Sequence, residues 1–423
     1  MCLNNQKQFK VIIGSIQAMR KYWRLVTGVV VVLAVLLVVS AFAVFYYNSP
    51  ERNIPIVYAD QQMLLELWSD YKRNYLEENT NRTLDKQQDS ITTSEGQSYT
   101  MLRAVWMDDQ KTFDDSWQWT KDNLQRDDFL MSWKFGRLPD GNYGIQDTVG
   151  GQNTASDGNS DTALALLMAY SRWKQDKYLY DALPIISSMW EKEVVLINGK
   201  PVLVANDLER NNPERVIVNP SYFSPYAYKI FAKVDKAHDW TSLSNNSYDI
   251  LIQASSENLD YNKSVGLAPD WIYIDRKTGA MSATGNPNLS TKFSFDAMRT
   301  PWRMALDYAW FKDPRAKTVL SNYKFLKDQW SETNKIAASY NRDGSAPAEY
   351  EAPAIYGGVI GYFKYIEPAL AEDIYTTKLS TLYSPDEQKL KQPLSYYDDN
   401  WSWFGTALYL NALPNLTATE SGE

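Results

Sequence analysis

Three carboxylates in this chain stand where short polar segments run into apolar helical stretches, and their settings suit acid–base chemistry. Glu95 lies in Thr92-Thr93-Ser94-Glu95-Gly96-Gln97-Ser98-Tyr99, on a Gly-containing turn that opens the apolar run from Met101 to Val105. Backbone geometry there can hold a carboxylate near the surface and aim it into a cleft. Asp296 lies in Phe293-Ser294-Phe295-Asp296-Ala297-Met298-Arg299, ahead of a second amphipathic stretch and with Arg299 three positions on. Asp157 lies in Ala155-Ser156-Asp157-Gly158-Asn159-Ser160-Asp161, running into Ala163–Leu167. Two carboxyls, one protonated and one ionised, are what hydrolysis of a glycosidic bond requires. On residue types alone, helix capping is the plainer account of Asp296 and Asp157, because Asp accepts from the free N–H groups of a first helical turn. The Asp157-x-Asn159-x-Asp161 spacing also suggests a calcium loop. Thr162 and Met168 stand where an EF-hand needs Gly and Glu, so that reading fails.

The elements that must position these residues are mostly helical. Met63, Leu64, Leu67, Trp68, Tyr71 and Tyr75 recur at spacings of three and four, which predicts an amphipathic helix. Further helices are expected over 101–107, 113–124, 162–173, 180–190, 224–234, 247–256, 297–311, 316–330, 356–365 and 401–410. They fall into successive pairs separated by long loops at 136–158, 205–223 and 262–294. One strand pair is expected at Val194 to Val204, around Asn198-Gly199. No repeat of fixed period is evident, which disfavours a solenoid. Periodicity therefore gives an all-α fold of paired helices. Trp106, Trp117 and Trp119 fall on apolar helical faces and are assigned to the core. The lone His238 has no partner for a metal site and is expected at the surface.

At 423 residues, with 44% hydrophobic and 14% aromatic content, the chain can bury a large core. Leu25 to Tyr47 is a 23-residue stretch without a charge, preceded by Lys7, Lys10, Arg20, Lys21 and Arg24. About 20 apolar residues span a bilayer, and the basic flank is expected to stay cytoplasmic. A cleavable signal is the alternative, with Ala41 and Ala43 near its end. The expected layout is a cytoplasmic 1–24, an anchor at 25–47, a stem at 48–58, a catalytic domain at 59–415 and a tail at 416–423. Taking those five basic residues from the net charge of −8 leaves −13 on the remainder, which argues against nucleic acid as a partner. The one cysteine, Cys2, precedes the anchor, so the exported part has no disulfide.

The three carboxylate segments resemble motifs of glycoside hydrolase family 8 and occur in that family's order. Phe129–Gly136, Asn219-Pro220-Ser221-Tyr222-Phe223, Pro269-Asp270-Trp271 and Tyr396-Tyr397-Asp398 agree with them, so the resemblance runs from about 60 to 410. It implies an (α/α) six-hairpin barrel behind the N-terminal transmembrane helix, and inversion at the anomeric carbon. It implies Glu95 as catalytic acid, Asp296 as base, and Asp157 as the aspartate that binds and distorts the sugar. Trp133, Tyr222, Tyr396 and Tyr397 sit in matching motifs and are expected against the substrate. Arg299 is read either as keeping Asp296 ionised or as a surface ion pair. No cofactor or metal is implied. The chain departs from the family at Phe295, where Tyr is usual, and at Asn159, where Asp is common.

The expected activity is inverting cleavage of internal β-1,4 bonds in a β-glucan, by an outward-facing domain on the cell membrane. A polysaccharide synthase complex is a candidate partner, since a tethered enzyme is well placed to trim a polymer leaving its own cell. Chitosan and xylan are alternative substrates. A non-catalytic polysaccharide-binding protein is the alternative of a different class, with Phe295 and Asn159 in its favour.

Overall fold

In the computed structural model, residues 58–418 are described. The expected cytoplasmic segment and anchor lie outside them, as do most of the stem and the end of the tail. Among the described residues no helix is long and apolar enough to cross a membrane.

In chain order the helices are α1 (Tyr58–Tyr75), α2 (Ser94–Trp106), α3 (Gln110–Asn123), α4 (Ser156–Trp173), α5 (Asp176–Glu193), α6 (Pro225–Val234) and α7 (Trp240–Ser256). They continue as α8 (Arg299–Phe311), α9 (Pro314–Ser321), α10 (Lys324–Thr333), α11 (Pro353–Ile366), α12 (Pro368–Ile374) and α13 (Tyr396–Tyr409). Helices α2, α4, α6, α8, α11 and α13 pack side by side in that order as an inner ring. The ring closes where α13 meets α2. There Arg103 Nη1 donates to Asp399 Oδ1 at 2.9 Å, and the Tyr99 ring packs edge-on against Trp401 and Phe404. Helices α3, α5, α7, α9 and α12 each fold back on the inner helix before them, and α1 covers α13. The result is a helical barrel.

An inner helix is covered on every side, which its composition reflects. Every residue of α2 is buried except Glu95. Between α11, α8 and α13 the backbones nearly touch, and only glycine fits. A Cβ on Gly357 would lie 1.9 Å from the carbonyl oxygen of Trp401, so Gly357→Ala must push two inner helices apart. We expect that variant to lose about 3 kcal/mol or more of stability, read as a lower denaturation midpoint in urea.

Short strands brace the open end. β1 (Thr92–Thr93), β2 (Lys134–Arg137) and β3 (Tyr143–Ile145) form one sheet, with Thr93 opposite Lys134. The expected hairpin is present as β4 (Val194–Ile197) and β5 (Lys200–Leu203), paired Val194 to Leu203. β6 (Arg215–Val218), β7 (Ile272–Asp275) and β8 (Met281–Ser282) form a second three-stranded sheet, with Val218 opposite Ile272. β9 (Tyr383–Ser384) and β10 (Lys389–Leu390) complete the set.

Several boundaries differ from the sequence reading. Helices α2 and α4 begin at Ser94 and Ser156 rather than at Met101 and Thr162, because their first turns are polar yet buried and carry no apolar periodicity. The stretch 316–330 is two helices, broken at Asn322-Tyr323. Helix α12 and strands β1–β3 and β6–β10 were not expected; of these, β3 and β6–β8 sit in segments read as loop. Trp106, Trp117 and Trp119 are buried as expected. His238 is not a free surface residue: its ring stacks on Trp190 at 5.3 Å and its Nδ1 is hydrogen-bonded to Asp235 at 2.7 Å.

Candidate active site

Glu95 occupies the first turn of α2, one residue after Thr93 and Ser94 leave the β1–β2 sheet. Thr93 caps the helix by accepting from the N–H of Gly96 at 3.0 Å. Asp157 occupies the equivalent turn of α4. The two turns can meet because residue 158 is glycine: a Cβ there would come within 2.6 Å of Ser94 Oγ and 3.1 Å of the Glu95 nitrogen. Asp157 does not cap α4, since its carboxylate accepts only from the adjoining Gly158 N–H at 2.8 Å among backbone groups.

Asp296 does not cap α8 either. No side chain caps it; Asp270 instead holds the turn that precedes it, its Oδ1 accepting from the N–H groups of Ser294 (3.1 Å) and Ala297 (2.7 Å). The Asp296 carboxylate is thereby left free to face outward. Its Oδ2 accepts from Trp271 Nε1 at 3.0 Å, and its Oδ1 from Arg299 Nη2 at 2.5 Å.

Arg299 is the hub. Its Nη1 donates to both Glu95 and Asp157, the latter at 3.1 Å, while its Nε donates to Ser221 Oγ at 3.1 Å. The guanidinium also lies over the Tyr222 ring, 5.1 Å from its centre. The side chain is 1% exposed, so the surface ion pair is excluded. Below it, Arg303 makes a two-pronged pair with Asp161 at 2.9 and 2.7 Å. Among the described residues no group of His, Cys, Asp and Glu is arranged to hold a metal ion.

Exposure sorts the three carboxylates. The Glu95 and Asp296 side chains are 21% and 32% exposed, against 2% for Asp157. Glu95 and Asp296 are therefore open to the cleft, whereas Asp157, expected against the sugar, is sealed beneath them and paired with Arg299. Burial, with the charges of Asp157 and Asp296, pushes Glu95 up to about 7 against the pull of Arg299. Burial raises Asp157 as well, opposed by Arg299 and Arg303. One cation among three carboxylates favours keeping one of them protonated near neutrality.

Glu95 and Asp296 open onto a cleft of about 530 Å³ walled by Asp85, Gln87, Phe295, Tyr396, Tyr397 and Asp398. Tyr397 donates from its hydroxyl to the Phe295 carbonyl at 2.5 Å, and the buried Tyr396 hydroxyl has no partner. Tyr222 borders the site edge-on to Trp271, with 5.8 Å between ring centres. Trp133 is not among the residues walling this cleft: its carbonyl accepts from the Ser94 N–H and its indole N–H donates to the Gly150 carbonyl at 2.9 Å. Asn159 faces away from the cleft, bridging the Met131 N–H to buried Glu193, which burial pushes up to about 8.

Two carboxyls flanking a cleft with aromatic walls, one of them raised by burial, are the equipment for cleaving a glycosidic bond. Residues 51–346 match the model of glycosyl hydrolases family 8. The chain belongs to that family. As a family 8 glycoside hydrolase it is 30% identical over 362 residues to Endoglucanase A of Acetivibrio thermocellus, covering 80% of this chain and 70% of that one. It is 31% identical over 274 residues to Endoglucanase 2 of Ruminiclostridium josui, covering 62% of this chain and 54% of that one. The chain thus spans between about half and 70% of the length of these two curated relatives. In fold it resembles the β-1,3-1,4-glucanase of Paenibacillus sp. X4, at a TM-score of 0.70 and 21% identity over 83% of this chain and 92% of that one.

Sequence reasoning did not single out Asp270, Trp271 or Ser221 as site residues, although all three lie in segments that matched the family. Their signal was only an Asp and a Trp beside a strand, with nothing to say what they face.

Proposed function

We propose that this family 8 enzyme cleaves internal β-1,4 bonds of a neutral β-glucan with inversion of the anomeric centre. The observation that carries the reading is the convergence of Glu95 and Asp296, from segments far apart in sequence, on one buried arginine beneath an open cleft. Glu95, protonated below about pH 7, gives its proton to the leaving glycosidic oxygen. Asp296 takes a proton from the attacking water, held toward the cleft by Trp271 and Arg299. Tyr396 and Tyr397 wall the cleft and, with Tyr222 and Trp133 from the neighbouring motifs, offer ring faces to sugars. The endoglucanase names of both relatives favour a glucan.

One observation favours a second substrate. The cleft carries Asp85 and Asp398 besides Glu95 and Asp296, of which Arg299 pairs only with the last two, and such a surface suits the cationic polymer chitosan. Parallel digestion of mixed-linkage β-glucan, carboxymethylcellulose, xylan and chitosan separates the two. We expect glucan viscosity to fall well before reducing ends accumulate, with an α-anomer as first product by NMR. Release from chitosan alone would transfer the assignment.

The apolar segment Leu25–Tyr47 behind five basic residues supports a membrane tether with the catalytic domain outside. So placed, the enzyme would meet polymer emerging from a synthase complex in the same membrane. Carbonate-resistant sedimentation with membranes is the expected behaviour of the full chain. Complete release by carbonate would remove the tether and with it the synthase partner.

A further inference from the structure

The segment that presents Asp296 is a tight turn with little regular structure of its own. Ser294 to Met298 closes through the Met298 N–H donating to the Ser294 carbonyl at 3.0 Å, and α8 starts only after it. What fixes this turn comes from elsewhere in the chain. Asp270, 4% exposed, reaches beneath it and accepts from the N–H groups of Ser294 and Ala297, one on either side of Asp296, and from the Ser294 hydroxyl. The backbone of Asp270 joins the same contact, its N–H donating to the Lys292 carbonyl at 2.7 Å. The next residue, Trp271, then holds the Asp296 carboxylate itself, through Nε1 and Oδ2 at 3.0 Å. The dipeptide therefore grips both the turn and the carboxylate that the turn displays.

Resting on the glycosidase reading above, we propose that Asp270 is the positioning residue for the base. Its buried carboxylate fixes the 294–297 turn so that Asp296 Oδ2 meets Trp271 and Oδ1 meets Arg299. A carboxylate is suited to this because one oxygen can accept from two backbone N–H groups while the other takes the hydroxyl. Asp270 touches neither the cleft nor the substrate, so its effect is on the geometry of the chemical step and not on polymer binding.

The test is a graded series in the full chain. Asp270→Ala removes every acceptor, and kcat on β-glucan is expected to fall about 10²-fold, the scale of a reacting group misplaced by about 1 Å. Asp270→Asn keeps Oδ1 for the two N–H groups but sets an amide against the Ser294 hydroxyl in place of Oδ2, so kcat is expected to recover only in part, to about five- to tenfold below wild type. Cellohexaose affinity, measured by calorimetry in a Glu95→Gln background, should stay within about threefold throughout. Wild-type kcat in folded Asp270→Ala would sink the proposal. So would parallel losses of kcat, affinity and folded fraction, which mark a structural role alone. If Asp270→Ala does not fold, Asp270→Asn and Ser294→Ala decide, since wild-type kcat in both contradicts positioning. A wild-type protein without turnover would count against the glycosidase reading instead. A crystal structure of Asp270→Asn would then decide the positioning, by whether Asp296 keeps its bond to Trp271.

Discussion

Glu95→Gln is expected to reduce turnover of β-glucan about 10³-fold while leaving the fold intact, because it removes the carboxyl proposed as the acid. The substitution preserves shape and hydrogen-bonding reach and changes only the ability to give up a proton. The pH dependence gives an independent check. Burial raises Glu95 to about 7, so the acid is protonated below that value and is lost above it. Wild-type kcat/KM should therefore decline about tenfold per pH unit beyond about 7, and the residual rate of the Gln variant should not follow that decline. Stability changes with the same sign. A carboxyl whose folded value is raised adds stability that is complete below its unfolded value, near 4.5, and is lost as pH rises through about 7. The Gln variant lacks that loss and should compare most favourably with wild type at pH 8. Reducing-end assays and urea midpoints from pH 5 to 9 test both. A residual rate within tenfold of wild type would remove Glu95 from the acid role.

Arg299→Met is expected to be the most damaging single change to the cluster, through charge rather than volume. Arg299 is 1% exposed and is bonded to Glu95, Asp157 and Asp296 together. Taking one partner from a buried charge cluster costs about 3–5 kcal/mol, because the remaining charges stay desolvated and unpaired. That cost requires ionised carboxylates. Burial raises both Glu95 and Asp157, and without the arginine both should bind protons more readily still. The destabilisation should thus be large at pH 8 and much smaller at pH 5, with activity lost at both. Lysine should rescue only in part, since an ammonium lacks the planar fork that meets three carboxylates and Ser221 at once. Urea unfolding at the two pH values reads this directly. An equal loss at both would show that the arginine acts by packing and not by balancing the carboxylates.

Local sequence made much of this visible. The paired helices announced themselves wherever one face is apolar and the other wet, as in α1 and α3, because a half-exposed helix must show that periodicity. Inner helices such as α2 and α4 show it less, being buried all round. Their first turns, which carry Glu95 and Asp157, are polar and buried, so they read as loop. The motif segments revealed which carboxylates to watch, but capping explained Asp157 and Asp296 equally well. Only the fold showed that neither residue caps its helix, and that Asp270, 26 residues before Asp296 in the chain, holds the turn ahead of α8.

By itself the sequence determined the class of the fold, the apolar segment ahead of it and the identities of the three carboxylates. The first two follow from periodicity, length and composition, which are properties of neighbouring residues, and the third from the resemblance of short motif segments to a known family. The tertiary structure alone decided that Arg299 joins the three, that Asp157 is sealed from solvent while Glu95 and Asp296 are not, and that Glu95 is held protonated near neutrality. Each depends on what lies across space from a side chain. Desolvation and charge coupling act over a few ångströms, whereas Glu95 and Arg299 are 204 residues apart along the chain.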